Sequence, residues 1–196
     1  YDWLGSLNAH VRGFFKPLIE AGAEVRPYNP PAWTAGIGLF SRNHRKSLII
    51  DEHTAFVSGL CISAAWEGKP AKGIEAWRDT GLALQGPIVQ DVLAAFEDTL
   101  VSQGGTMPPL KRYENEDAMP AGSTRARVLA TTPANIDTMR LDLNIIGLST
   151  QNLWITDAYF MPTRMYVQAL INAAKAGVDV RILVPRTSDI KWIGTV

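Results

Sequence analysis

From Arg125 onward the sequence alternates in a way that few folds accept. Arg125 to Thr131 reads as a strand, Asn135 to Leu148 as a helix and Leu153 to Thr156 as a second strand. Thr163 to Ala176 then reads as a helix stopped by Gly177, and Val178 to Val184 as a third strand. Strands separated by whole helices cannot form tight hairpins; they run parallel, with each helix crossing a face of the sheet. The first part of the chain carries different signals. Ser47 to Ile50 reads as a buried strand, Asp51-Glu52-His53-Thr54 as a turn and Ala55-Phe56-Val57 as its return strand. Arg78 to Leu84 alternates like a further strand. Gly86-Pro87 opens a helix to about Ser102, with Ile88, Val92, Leu93, Phe96 and Leu100 on its buried face. Tyr1 to Ser6 reads as the end of a strand. Asn8 to Ala21 reads as a helix burying Val11, Phe14, Phe15, Leu18 and Ile19, kinked or split at Pro17 and stopped by Gly22, and Ala23 to Tyr28 as a short strand. The class expected is α/β, a mixed sheet flanked by helices.

Between these parts, Gln103 to Thr124 holds Gly104-Gly105, Pro108-Pro109, Pro120 and the charged run Lys111 to Asp117, the composition of a linker. Two domains are therefore expected, over residues 1–102 and 125–196, joined by 103–124. An internal echo, Leu18-Ile19-Glu20-Ala21-Gly22 before Val25-Arg26 and Leu170-Ile171-Asn172-Ala173 before Gly177 and Val180-Arg181, fits a duplicated architecture. With 46% hydrophobic and 19% charged residues, the 196-residue chain is of ordinary globular composition. Its 19 basic and 19 acidic residues give no global field toward nucleic acid, although a local basic site could act alone. The single Cys61 excludes an intrachain disulfide framework. No apolar run approaches the ~20 residues needed to span a bilayer.

Chemistry concentrates in Asn43-His44-Arg45-Lys46, directly before the apolar run Ser47 to Ile50. By strand alternation His44 and Lys46 share one face, while Asp51, seven positions after His44, falls on the other. An imidazole and an ammonium on one face suit a phosphoryl group: the His as nucleophile or proton carrier, the Lys holding charge on a phosphate oxygen. Asp51 then reads as a structural partner or turn former. Trp33, Ile37, Leu39 and Phe40, in a glycine-containing loop, form either an aromatic lip over the site or a core plug. Asp79 could orient a catalytic group or pair with Arg78 or Lys72. Cys61 reads as a small buried hydrophobe, and His10 and His53 as solvent-facing bystanders.

The spacing His44-x-Lys46-x-x-x-x-Asp51 is that of the HKD motif, and the chain resembles the phospholipase D superfamily. Tyr1-Asp2-Trp3-Leu4-Gly5-Ser6, Glu24 to Pro30, Ala76-Trp77-Arg78-Asp79-Thr80 and Gln85-Gly86-Pro87-Ile88-Val89 resemble, in order, segments of its cardiolipin synthase-like members. Trp154 to Pro162 and Gly177 to Pro185 resemble the opening of the second half of those proteins.

The resemblance implies two HKD motifs meeting at a domain interface, one His attacking phosphorus to form a phosphohistidine and the other protonating the leaving alcohol. His44 would be the nucleophile and Lys46 the charge-stabilising partner; Ser58, Gly59, Cys61 and Asp79 would line the substrate site. Cys61 stands where the family typically places an Asn that helps hold the phosphate, and a thiol is a weak substitute for an amide. Transfer of a phosphatidyl group to phosphatidylglycerol or another alcohol is the implied activity, with a phospholipid substrate, a membrane surface as partner and neither metal nor cofactor. A dimeric HKD nuclease or general phosphodiesterase and a degenerate scaffold are the alternatives. The implied place is the cytoplasmic face of a bacterial membrane, or else the cytoplasm. On this alignment the first domain lacks its start, the second is truncated, and the matching His is expected beyond Val196 or from a second chain.

Overall fold

A computed structural model describes residues 1–31, 41–109, 122–132 and 135–186. The chain divides into two compact units, Tyr1–Val128 and Leu129–Val196. The aromatic loop residues Trp33, Ile37, Leu39 and Phe40, and the charged run Lys111 to Asp117, lie outside the described residues.

In the first unit, β1 (Ser47–Ile50), β2 (Thr54–Val57) and β3 (Leu82–Gln85) form an antiparallel sheet in that order. Its register sets Ile49 opposite Ala55 and Ala55 opposite Leu84. These three point to one face, where α3 (Ile88–Ser102) covers them with Val89 and Val92. Pro87 suits the start of this helix because a first-turn N–H has no intrahelical acceptor to lose. Ala55 is fully buried, the small residue at the central strand that lets the helix approach.

The opposite face of the sheet is uncovered among the described residues. Leu48, Ile50 and Phe56 are all exposed there, so of the strand expected to be buried at Ser47 to Ile50 only Ile49 is even partly buried. Phe96, expected on the buried face of α3, is exposed as well. β3 is shorter than the run Arg78 to Leu84 suggested, because Arg78 to Gly81 find no strand partner.

Near the start of the chain the helix expected to be kinked or split at Pro17 is split into two short ones, α1 (Leu7–Val11) and α2 (Lys16–Glu20). The break falls at Gly13, which takes φ +69°, while Pro17 sits harmlessly in the first turn of α2. Splitting the helix destroys the continuous apolar stripe: Val11, Phe14, Leu18 and Ile19 are exposed, and only Phe15 is tucked in, stacked on Tyr1 with ring centroids 4.2 Å apart. The expected strand at Ala23 to Tyr28 is reduced to one parallel bridge, Asp2 to Tyr28, with Tyr28 N–H donating to the Tyr1 carbonyl at 2.6 Å.

In the second unit, β4 (Asn152–Thr156) and β5 (Asp179–Leu183) pair in parallel, connected through α5 (Arg164–Lys175). With α4 (Asp137–Leu148) they enclose a core of Ile146, Leu170, Ala173 and Val178, joined by Leu153, Ile155 and Val180. No strand forms at Arg125 to Thr131. A Tyr166 hydroxyl donates to Asp142 at 2.8 Å, tying α5 to α4; burial, and then the adjacent Asp142 carboxylate, push its pKa up to about 12. α5 ends as the echoed α2 does. Gly22 and Gly177 take φ +93° and +94°, and the next residues, Ala23 and Val178, donate back to Leu18 and Ala173.

Candidate functional site

His44, Arg45 and Lys46 are the three residues that lead into β1. The hairpin ladder runs one bond past the strand, because Ser58 N–H donates to the Lys46 carbonyl at 3.2 Å. Lys46 therefore lies across from Ser58. Ser58 in turn faces Gly81, where an added Cβ would come within 3.0 Å of the Ser58 Cβ. The Lys46 ammonium bends back and donates to the His44 carbonyl at 2.8 Å, which holds the cation at residue 44 with two further N–H donors to offer. The His44 side chain is exposed, and among the described residues its ring has no hydrogen-bond partner.

The backbone around His44 is fixed by side chains from elsewhere. Asp2 accepts from the Asn43 backbone N–H at 3.0 Å, from Gly5 N–H at 2.7 Å and from the Arg42 guanidinium, whose Nε lies at 3.1 Å. Partial burial pushes the Asp2 carboxyl upward, but the two backbone donors and Arg42 outweigh it and hold the group below the usual carboxylate value. On the other side of His44, Arg45 reaches α3 and donates to the Ala95 carbonyl at 2.9 Å and to Thr99 Oγ1 at 2.6 Å.

Beside Ser58 lies a cavity of about 360 Å³, lined by Phe56, Val57, Leu60 and Leu82 with Ser58 and Asp79 as its polar members. Gly59 abuts Asp79 so closely that a Cβ there would fall 1.8 Å from Asp79 Oδ2 and would force that carboxylate to move. Asp79 also accepts from its neighbour Thr80 N–H at 2.6 Å, and among the described residues neither Arg78 nor Lys72 pairs with it. Cys61 is exposed, contrary to the buried hydrophobe expected; among the described residues its thiol reaches only the Gly59 carbonyl, at 3.8 Å.

Asp51 belongs to the other end of β1. It and Glu52 take φ +50° and +60°, the left-handed pair of a tight hairpin turn closed by His53 N–H to the Ile50 carbonyl at 3.0 Å. His53 is exposed, and its Nδ1 lies 2.6 Å from the Asp51 carbonyl, so that nitrogen carries the proton. The exposed ring of His10 sits 2.7 Å from the Tyr1 hydroxyl. The four residues of β1 separate Asp51 from Lys46, five steps or about 16 Å of extended chain. The structure thus gathers Lys46, Ser58, Gly59 and Asp79 near the lead-in to β1 and leaves Asp51 at the far end.

Sequence reading passed over Asp2, Arg42 and Arg45 as anchors. Their partners lie some 40 or more positions away, so no local spacing marks them; the one signal was that Asp2 belongs to a segment resembling the family. Among the described residues no group of three or more His, Cys, Asp or Glu could hold a metal ion, and no helix is long and apolar enough to cross a membrane.

Comparison with known proteins finds relatives of one kind. A model described as cardiolipin synthase, PLD-like domain, matches residues 143–195, within the second unit. Cardiolipin synthase A of Pseudomonas fluorescens (strain SBW25) is 32% identical over 192 residues, covering 96% of this chain and 39% of the relative. Cardiolipin synthase 1 of Bacillus cereus is 32% identical over 200 residues, with the same coverage of 96% and 39%. A probable cardiolipin synthase of Bacillus subtilis (strain 168) is 32% identical over 196 residues, covering 96% of this chain and 38% of the relative. The chain therefore spans about two fifths of the length of the curated relatives it matches. No solved structure matches it.

Proposed function

The chain belongs to the phospholipase D superfamily, on its cardiolipin synthase-like branch, and from that membership we propose that it forms part of a phosphatidyltransferase working through a phosphohistidine. The observation that carries this reading is the pairing at the lead-in to β1: an exposed His44 imidazole without a partner among the described residues, and the Lys46 ammonium held on the carbonyl of the same residue.

In the proposed reaction a ring nitrogen of His44 attacks the phosphorus of a phosphatidyl donor. The P–N bond forms as the bond to the leaving alcohol's oxygen breaks. That oxygen takes a proton from a second histidine, contributed by a part of the protein outside this chain or by a second copy. An acceptor alcohol, phosphatidylglycerol or another, then gives its proton to that second histidine, attacks phosphorus and releases His44 as the P–N bond breaks. Two moderate barriers replace one high one. Lys46 keeps its cation beside the reacting centre and stabilises the charge gathered on the phosphoryl oxygens. Ser58 and the Gly59–Asp79 contact border the same region, and the apolar walls of the neighbouring cavity suit the glycerol and acyl portion of a lipid. A lipid substrate places the reaction at a membrane surface, and we assign it to the cytoplasmic face.

The test uses the full-length protein, assayed on phosphatidylglycerol vesicles and, in parallel, on single-stranded DNA, each with His44→Ala as control. Cardiolipin formation that depends on His44 is the expected result. Hydrolysis of DNA with no lipid product would move the assignment to a nuclease. Lipid turnover retained by His44→Ala would overturn the mechanism.

A further inference from the structure

We propose that Asp2 is a positioning residue for His44: it fixes the backbone immediately before the nucleophile and so sets the direction of attack. The inference rests on the functional reading above.

Asp2 shares no element with the motif, yet it makes three contacts on the motif's own lead-in. One oxygen accepts from Asn43 N–H at 3.0 Å and from Arg42 Nε at 3.1 Å; the other meets the second nitrogen of the same guanidinium. A two-oxygen, two-nitrogen fork of this kind fixes angle as well as distance. Asp2 is itself held. Its backbone bridges Tyr28 in parallel, with Trp3 N–H donating to the Tyr28 carbonyl at 3.2 Å, and its Oδ1 accepts from Gly5 N–H at 2.7 Å. The pair is substantially shielded, with the Asp2 side chain 14% and the Arg42 side chain 29% exposed.

The need for such a device follows from where His44 sits. It precedes the first residue of β1, the ladder reaches back only to Lys46, and among the described residues its ring has no hydrogen-bond partner. Residues 42 and 43 on one side and Arg45 on the other are fixed from outside the segment, and Asn43 Oδ1 accepts from Arg45 N–H at 2.9 Å across His44. Arg45 restrains the segment against α3. Asp2 supplies the restraint on the upstream side, adjacent to the nucleophile.

Without Asp2 the Asn43 N–H and the Arg42 guanidinium lose their shared acceptor, and His44 gains freedom about its upstream peptide. A misplacement of about 1 Å at a reacting group can lower the rate roughly 10²-fold, so kcat should fall on that order. KM should stay near the wild-type value, because the cavity lining is untouched.

The experiment compares wild type, Asp2→Asn, Asp2→Glu and His44→Ala in the full-length protein. It reads hydrogen exchange of the peptide covering residues 42–46 alongside kcat and KM on phosphatidylglycerol. The expected result for Asp2→Asn is faster exchange confined to 42–46, with protection retained across β2 and α3, together with the fall in kcat at constant KM. Asp2→Glu should fall between the two, since it keeps the charge but displaces the fork by one methylene. Unchanged exchange at 42–46 would show that Asp2 holds nothing there, and faster exchange with undiminished kcat would show that catalysis does not need the restraint; either overturns the inference. Should Asp2→Asn lose protection throughout, Asp2→Glu decides by the same two readings. Equal turnover by wild type and His44→Ala would instead bring down the functional reading, a different outcome from a His44-dependent enzyme indifferent to Asp2.

Discussion

The two ends of β1 are built on different principles. At the turn end, conformation is stored in the backbone: Asp51 and Glu52 adopt left-handed φ angles, and His53 closes the loop with bonds to Ile50 and Asp51. At the leading end almost nothing is stored in the backbone. His44 lies outside the ladder; Asn43 Oδ1 and the Lys46 ammonium bond across it locally, and Asp2 together with the Arg45 contacts to α3 ties the segment down from a distance. A turn that only reverses the chain can be local and self-sufficient. A nucleophile must be exposed and must present bonding capacity not already taken by secondary structure, so its restraint comes from side chains, near and distant, rather than from the ladder.

Substitutions at the two ends should therefore fail differently. The largest effect is expected at His44. Removing a covalent nucleophile costs on the order of 10⁶ in kcat, and His44→Ala should lose turnover while its melting temperature stays at the wild-type value. Lys46→Met should come next, with kcat down about 10²–10³-fold, as when a single transition-state donor is removed. A stability loss matching either activity loss would break the contrast.

Asp51 sharpens the comparison from the other side. Asp51→Val forces a β-branched residue into left-handed φ and should cost about 1–2 kcal/mol of stability, read by thermal or denaturant melting. Asp51→Asn should change stability by less than about 0.5 kcal/mol and retain most activity, because Asn tolerates that conformation. An inactive but fully stable Asp51→Asn would show that the carboxylate takes part in the chemistry after all.

At the leading end, Cys61→Asn would place a strong donor where the thiol now meets the Gly59 carbonyl at 3.8 Å. One added hydrogen bond of about 1 kcal/mol in the transition state corresponds to roughly a fivefold rise in kcat. No rise would mean that this position does not face the phosphoryl group.

The smallest effect is the acid dependence of Asp2. Its carboxyl is pushed up by burial but held lower still by the Gly5 and Asn43 N–H groups and Arg42, so the folded value lies below the unfolded one. The stabilisation is fully present above the unfolded value of about 3.8 and is lost as pH falls through the depressed folded value. The melting temperatures of wild type and Asp2→Asn should converge below that point and separate above it. Parallel curves across the acid range would deny the linkage.

Much of this architecture was legible. β1, β2, α3, α4, α5, β4 and β5 lie where period and capping residues placed them, within a residue or two. What failed has a common cause. Ala23 to Tyr28, Arg78 to Gly81 and Arg125 to Thr131 have the residue types of strands, but a strand also needs a partner ladder, and that partner is a matter of tertiary placement. The α1–α2 region shows the same limit for helices: Val11, Phe14, Leu18 and Ile19 are spaced for a stripe that the break at Gly13 scatters. At the site, His44 and Lys46 were visible because their chemistry and spacing are local. Asp2 and Arg45 were not, because an ordinary surface acid or base shows its partner only after the chain has folded.

The most direct test of the account is to find the covalent intermediate. The full-length protein, mixed with a phosphatidyl donor and quenched without acid, is digested and its adduct located by mass spectrometry. The account predicts an acid-labile phosphatidyl adduct on the peptide containing His44, absent from His44→Ala. An adduct on any other residue, or its undiminished formation in His44→Ala, would contradict it.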